Sequence, residues 1–183
     1  VSDRALHEIY LPAFRAAVVE GKAWGIMGAY NLYKNQHNCQ NEELLMKILK
    51  GDWNYDGVVV SDWGGCHDTD EAVKNGLDME FGTWTNGLSV GKTNAYDSYY
   101  MAQAYLDGIK SGKYTTKELD DKVRRVLRLF FRTTMNTNKP MGFLCSESHY
   151  DVARRVADEG IVLLKNNKNI KPFILIIFNV SST

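Results

Sequence analysis

Gly57-Val58-Val59-Val60-Ser61-Asp62-Trp63-Gly64-Gly65 is the stretch on which the fold reading turns. Three consecutive β-branched residues form a short, unbroken apolar run, the pattern of a strand buried on both faces of a parallel sheet. The run stops at Ser61-Asp62-Trp63, and Gly64-Gly65 lets the chain turn. A carboxylate and an indole are therefore expected at the C-terminal end of a buried strand, the edge at which parallel α/β folds bind ligands. An Asp there is presented by a rigid scaffold, and a Trp beside it offers an apolar face to a ring. The competing reading is an Asp that caps the next helix and a Trp that fills a gap.

Working outward, the flanking segments alternate in type. Residues 2–20 read as a helix with Ser2 or Asp3 as N-cap and a stripe of Leu6, Ile9, Tyr10, Ala13 and Ala17. Pro12 is expected to kink or split it, and Gly21 to stop it. Residues 24–30 read as a short buried strand and 32–40 as a polar loop. Asn41 is placed to cap a helix carrying Leu44, Leu45, Ile48 and Leu49, closed by Gly51. Asn54-Tyr55-Asp56-Gly57 is a turn feeding the Val58–Ser61 strand.

Beyond the glycine pair, residues 68–74 suit a short helix with Ala72 and Val73 inward, ended by Asn75-Gly76. Leu77-Asp78-Met79-Glu80-Phe81 reads as a third strand, which places Glu80 at the same sheet edge as Asp62. Residues 83–97 read as a long loop on that edge. Ala102, Tyr105, Leu106 and Ile109 mark a helix. Thr115-Thr116-Lys117-Glu118 is a capping box opening another, with Leu119, Val123, Val126, Leu127 and Phe130 on one face and charged residues on the other. Residues 133–148 look like a linker. His149–Asp158 reads as a helix, Gly160–Leu164 as a strand, and Phe173–Phe178 as a strongly apolar segment too short to span a membrane.

The fold class is thus α/β, with βαβ rhythm and parallel strands. Three such strands do not close, whereas a (β/α)8 barrel needs eight strands and roughly 250 residues. The chain of 183 residues is therefore expected to be a piece of a larger fold.

Composition narrows the function classes. Charges balance, with 22 Lys and Arg against 22 Asp and Glu, and no basic stripe is visible, so a nucleic-acid footprint is not expected. Three cysteines, Cys39, Cys66 and Cys145, are too few and too far apart for a disulfide framework or a Cys-x-x-Cys metal site, so buried free thiols are expected. His67 and His149 lack partners at metal-ligand spacing and read as polar or capping residues. Asp68, Asp70 and Glu71 suit a helix dipole. Lys122–Val126 reads as the solvated face of its helix. Neither a metal nor a cofactor is expected, and no compartment signal is readable.

Several motifs together resemble glycoside hydrolase family 3. Met27-Gly28-Ala29-Tyr30-Asn31 is similar to that family's Met-x-Ser-Tyr-Asn motif, Asp52–Gly64 to its nucleophile segment, and Gly76–Glu80 to its Gly-Leu-Asp-Met-Glu signature. Leu119–Leu127 resembles the helix closing its barrel, and His149–Asn166 the entry to a second, α/β-sandwich domain. The Ser-Asp-Trp form is closer to the β-glucosidase and β-xylosidase members than to the N-acetylglucosaminidases. The resemblance implies the following. Residues 1–132 are the late βα units of a TIM-type barrel, 133–148 a linker, and 149–183 the truncated start of the sandwich domain. Asp62 is the nucleophile of a retaining exo-β-glycosidase, and Trp63, Tyr30 and Met27 line the sugar subsite. The substrate is a β-glucoside or oligosaccharide, and the acid/base Glu lies outside this chain.

Glu80 is a possible second carboxylate, weighed against a structural ion pair. The alternative function is a catalytically incomplete module that binds sugar or self-associates. Open parallel sheet edges favour a homo-oligomer or another association that covers them.

Overall fold

The computed structural model describes residues 1–82, 99–138, 142–162 and 164–165. The chain divides into two compact units, Val1–Asn138 and Lys139–Thr183.

The first unit is α/β. Its centre is β4 (Val58–Ser61), in which Val58 and Val59 are completely buried. Strand β1 (Gly25–Gly28) lies parallel along one side, in register from Gly25 opposite Val58 to Gly28 opposite Ser61. On the other side Val60 bridges in parallel to Met79. Three parallel segments were expected, and three lie side by side, but the first is shorter than 24–30 and the third is a single bridge rather than a strand. Asp78 accounts for the second difference. Its Oδ2 accepts the Val59 N–H at 2.8 Å, and the N–H groups of both Asp78 and Met79 converge on the Val59 carbonyl at 3.0 and 3.1 Å. A side chain has taken one place in the ladder, which resumes where the Ser61 N–H reaches the Met79 carbonyl at 2.9 Å.

Helix α1 covers residues 3–20, alternating α-helical Asp3–Ala5 and Leu11–Arg15 with π-helical Leu6–Tyr10 and Ala16–Glu20. Ser2 is the cap, its Oγ accepting the Ala5 N–H at 3.2 Å. Pro12 does not split the helix. It has no N–H to place, and it follows directly on a wide turn in which the Leu11 N–H bonds back to Leu6.

Residues 32–40 are not a plain loop. They hold a two-residue hairpin, β2 (Leu32–Tyr33) with β3 (Gln36–His37), turned by Lys34 and Asn35 at φ 49° and 65°, then a 3-10 turn at Asn38–Gln40. Asn41 caps helix α2 (Glu43–Asp52), accepting the Leu44 N–H at 3.0 Å. That helix winds as a π-helix straight through Gly51. Its Leu45 and Leu49 join Val18, Tyr55, Val59, Ala72 and Leu77 in the main core.

Helix α3 (Thr69–Lys74) is capped by Asp68 and buries Ala72 and Val73. Helix α4 (Gln103–Lys110) follows, then α5 (Thr116–Arg132), with Thr115 as N-cap. Helix α5 reverses the expectation from its pattern. The charged face packs inward, while Leu119, Val123, Leu127 and Phe130 are 37% to 49% exposed. Lys122 is buried, its Nζ donating to the carbonyls of Ala72 and Leu77 at 3.3 and 2.5 Å. Arg125 donates to the carbonyls of Tyr55 and Gly57 at 2.9 and 3.0 Å, and Arg132 grips Asp56 with two bonds of 2.9 and 2.6 Å. Arg125 and Arg132 are therefore ties to the turn that feeds β4, and Lys122 to the carbonyls of Ala72 and Leu77, so these residues are not a solvated face.

In the second unit, α6 (Glu147–Gly160) is capped by Ser146, with His149 completing the capping box. Gly160 ends this helix, so the expected Gly160–Leu164 strand does not form among the described residues. Phe173–Phe178 lies outside them. Cys39 and Cys66 are buried free thiols, but Cys145 is exposed. Among the described residues no helix is long and apolar enough to cross a membrane.

Candidate active site

The β4 backbone delivers Asp62 to the sheet edge, where the chain turns at once. The Gly65 N–H bonds the Asp62 carbonyl at 2.9 Å, and Gly64 adopts φ 72°, a conformation that glycine enters freely. Asp62 is half-buried and its Oδ1 accepts the Trp63 N–H at 2.7 Å. A carboxylate held by a backbone donor at a strand end has one oxygen restrained in place.

Tyr30, just past β1, closes over this turn. Its hydroxyl donates to the Trp63 carbonyl at 2.7 Å. Partial desolvation first, and then the neighbouring Asp62 carboxylate, push the phenol above its ordinary range. Trp63 is 56% exposed and its ring stands 6.4 Å from that of Phe81, tilted by 31°. Asp62, Trp63 and Tyr30 are thus brought together, with an aromatic surface open to solvent.

The other two expected residues are placed differently. Met27 is exposed on β1 and lines an apolar cleft of about 370 Å³ with Leu6, Phe14 and Leu32. Glu80 forms no ion pair among the described residues. Its Oε2 accepts the Met101 N–H at 2.7 Å, Oε1 is buried without a partner, and burial raises its pKa. The structural ion pair expected for Glu80 is therefore replaced by a bond to backbone. The carboxyl ties the returning chain at residues 100–101 to the sheet edge.

Three features beneath this edge escaped the sequence reading. Cys39 is fully buried between the ends of β1 and β4. A Cβ on Gly28 would lie 2.7 Å from its Cα, and one on Gly65 would lie 2.7 Å from its Sγ. Gln40, 2% exposed, accepts the N–H groups of His67 and Asp68 at 2.8 and 3.2 Å and donates to Glu71 at 2.6 Å. His37 and His67 stack, with ring centroids 3.8 Å apart. The Asn-Cys-Gln-Asn run was the available signal, since polar residues of that kind between two strands need partners if the turn is buried. Among the described residues no group of three or more His, Cys, Asp or Glu side chains could hold a metal ion.

Comparison with known proteins supplies an independent line. The family described as "Glycosyl hydrolase family 3 N terminal domain" matches residues 1–129. The chain is 54% identical over 171 residues to Beta-glucosidase BoGH3A of Bacteroides ovatus, a match covering 93% of this chain and 23% of that protein. Among solved structures, a GH3 beta-glucosidase of Bifidobacterium adolescentis aligns with a TM-score of 0.68 at 31% identity, covering 94% of this chain and 23% of the other. DesR, a beta-glucosidase from Streptomyces venezuelae in complex with D-glucose, aligns with a TM-score of 0.72 at 27% identity, covering 91% and 21%. The chain thus spans under a quarter of the length of these proteins.

Proposed function

Because this chain belongs to glycosyl hydrolase family 3, we propose that it carries the nucleophile-bearing part of a retaining exo-β-glucosidase. Residues 1–132 are then the late βα units of a (β/α)8 barrel, 133–148 a linker, and 149–183 the start of a second α/β domain. The observation that carries the reading is the presentation of Asp62. It stands at the C-terminal end of the central parallel strand, restrained by the Trp63 N–H at 2.7 Å, beside exposed aromatic rings.

In this mechanism Asp62 attacks the anomeric carbon of a terminal β-D-glucosyl residue and forms a glycosyl ester as the aglycone leaves. Water then releases the sugar with retained configuration. Both steps need a second carboxyl group roughly 5–5.5 Å away that first donates and then accepts a proton. Glu80, engaged with the backbone at residues 100–101, is a poor fit for that exchange. The acid/base is instead a residue of the longer protein. Trp63 and Tyr30 supply apolar faces for the sugar ring, whereas Met27 lines a separate apolar cleft.

An activated 2-deoxy-2-fluoro-β-glucoside tests this directly, since its departing aglycone needs little protonation. The expected result is a mass gain of one fluoroglucosyl group on the peptide containing Asp62, absent in Asp62→Asn. A label on another residue, or an equal label in Asp62→Asn, overturns the assignment.

A second reading is favoured by α5. Its exposed Leu119, Val123 and Leu127 border a cleft of about 400 Å³. A self-associating module follows from that face. Sedimentation showing a monodisperse monomer at micromolar concentration contradicts it.

A further inference from the structure

We propose that Gln40 is a positioning residue for the Asp62 turn: its side-chain amide pins the chain that leaves Asp62 and Trp63, so that the carboxylate is held from its downstream side as well as by β4. The inference rests on the reading of Asp62 as the nucleophile.

The turn needs such a pin. Upstream, Asp62 follows directly on Ser61, the last residue of β4, whose N–H is held by the Met79 carbonyl at 2.9 Å. Downstream come Gly64, at φ 72°, and Gly65, and glycine sets few limits on the path of the backbone. The bond that closes the turn runs from the Gly65 N–H to the Asp62 carbonyl at 2.9 Å. It holds its length only if the chain beyond Gly65 is anchored. The anchor stands at residues 67 and 68, where Gln40 Oε1 accepts the N–H groups of His67 at 2.8 Å and Asp68 at 3.2 Å.

Gln40 is itself held. It is 2% exposed and ends the 3-10 turn Asn38–Gln40. Its Nε2 donates to Glu71 Oε2 at 2.6 Å, and the other oxygen of Glu71 accepts from Gln36 Nε2 at 3.0 Å. The Gln40 carbonyl accepts from Asn75 Nδ2 at 2.9 Å. Two N–H donors on one side and a carboxylate on the other call for a group that accepts at one atom and donates at the next. A primary amide does this, and a carboxylate or an apolar end does not. The preceding residue, Cys39, is wholly buried, and a Cβ on Gly65 would lie 2.7 Å from its Sγ and 3.2 Å from the Asp62 carbonyl oxygen. The 3-10 turn therefore meets the Asp62 turn at two consecutive residues, Cys39 by packing beneath Gly65 and Gln40 by bonding beyond it. The pinned segment then runs straight into α3, where Asp68 caps the Glu71 N–H at 2.8 Å and Ala72 and Val73 are buried.

The test follows amide hydrogen exchange in the full chain without sugar. It compares wild type, Gln40→Met, Gln40→Glu, and the exchanged pair Gln40→Glu with Glu71→Gln, which reverses donor and acceptor between the two side chains and keeps an acceptor for residues 67 and 68. The Gly65 amide reports on the Asp62 turn, those of His67 and Asp68 on the pin, and that of Val59, bonded to Asp78, on the core. Gln40→Met should speed exchange at Gly65, His67 and Asp68 by about tenfold, the upper range of a single neutral hydrogen bond, and leave Val59 unchanged. Gln40→Glu alone sets two carboxylates against each other. It should loosen the same three amides, and it serves where Gln40→Met does not fold. The exchanged pair should return Gly65 to the wild-type rate. An unchanged Gly65 while His67 and Asp68 loosen confines Gln40 to the start of α3 and overturns the proposal. So does a rise shared equally by Gly65 and Val59, or an exchanged pair that leaves Gly65 loose.

Labelling of Asp62 by the fluoroglucoside is read separately. Gln40→Met should lower the labelling rate constant several-fold without changing its dependence on fluoroglucoside concentration, because Gln40 is buried and contacts no sugar, and the exchanged pair should restore it. A rate constant equal to wild type in Gln40→Met overturns the proposal. A wild-type chain that takes no label counts against the glycosidase reading alone, because the sugar-free exchange judges the pin by itself.

Discussion

The hydroxyl of Tyr30 reaches across from the end of β1 to the carbonyl of Trp63, a 2.7 Å bond between residues thirty-three positions apart. It joins two neighbouring parallel strands at the edge where Asp62 emerges. The bond fixes the carbonyl of Trp63, the residue whose own N–H holds Asp62 Oδ1. Tyr30 therefore acts on Asp62 through Trp63 as well as by its proximity.

Tyr30→Phe removes that donor while leaving the ring. The rate of Asp62 labelling by a fluoroglucoside is expected to fall by about threefold to tenfold, the range of a single neutral hydrogen bond. The far-ultraviolet circular dichroism should be unchanged. A labelling rate equal to wild type means the phenol does not position the carboxylate.

Gly65→Ala and Gly28→Ala should both destabilise, by about 1–3 kcal/mol for an overpacked site, but for different reasons. The Cβ added at Gly65 meets the Cys39 Sγ at 2.7 Å, a side-chain atom, whereas that added at Gly28 meets the Cys39 Cα at 2.7 Å, which is backbone. Cys39→Ala should therefore rescue Gly65→Ala and leave most of the Gly28→Ala cost in place. A double-mutant cycle in urea measures this, and equal rescue of both contradicts the packing described.

The Val58–Val60 run announced β4 because burial on both faces demands apolar, β-branched residues whatever the surrounding fold. Ser2, Asn41 and Thr115 were legible as caps for a similar reason: each bonds a backbone N–H within three residues of itself. Within the candidate site, Asp62 and Trp63 followed from the strand end alone. Long-range partners were not legible. The inward turn of Lys122 depends on carbonyls fifty and forty-five residues away. The Leu77–Phe81 strand was cut to a bridge by the Asp78 carboxylate, and Glu80 was drawn to the backbone at residues 100–101. The hairpin at 32–37 carries an Asn at its turn, but its strands are too short and too polar to show a period.

Asp78 joins that interrupted edge to the core. Its side chain is wholly buried, with Oδ1 at 2.8 Å from Lys50 Nζ and Oδ2 at 2.8 Å from the Val59 N–H. Asp78→Ala leaves the buried Lys50 ammonium and one β4 donor without their acceptor. The expected cost is about 3–5 kcal/mol, the range for breaking a buried pair from one side. Lys50→Met in the Asp78→Ala background should recover part of it. Chemical denaturation of the single and double variants checks both, and a cost under 1 kcal/mol for Asp78→Ala would show that the pair contributes little.

Lys122 gives the pH dependence its clearest source. Desolvation dominates its environment and pushes the ammonium down to about 8, against an ordinary value of 10.5. The folded chain thus binds fewer protons at this site than the unfolded chain between those two values. Stability should rise with pH across that window, with a slope of at most about 1.4 kcal/mol per unit from this one group. Below the lower value both states are protonated and the slope from Lys122 vanishes. Lys50, also lowered by burial, adds a contribution of the same sign, so the informative quantity is the difference between chains. Lys122→Met should remove its share of the slope while leaving that of Lys50. Denaturation midpoints in urea at intervals across the window, wild type against Lys122→Met, measure it. Parallel curves for the two chains would mean that the buried Lys122 ammonium keeps its ordinary affinity for the proton.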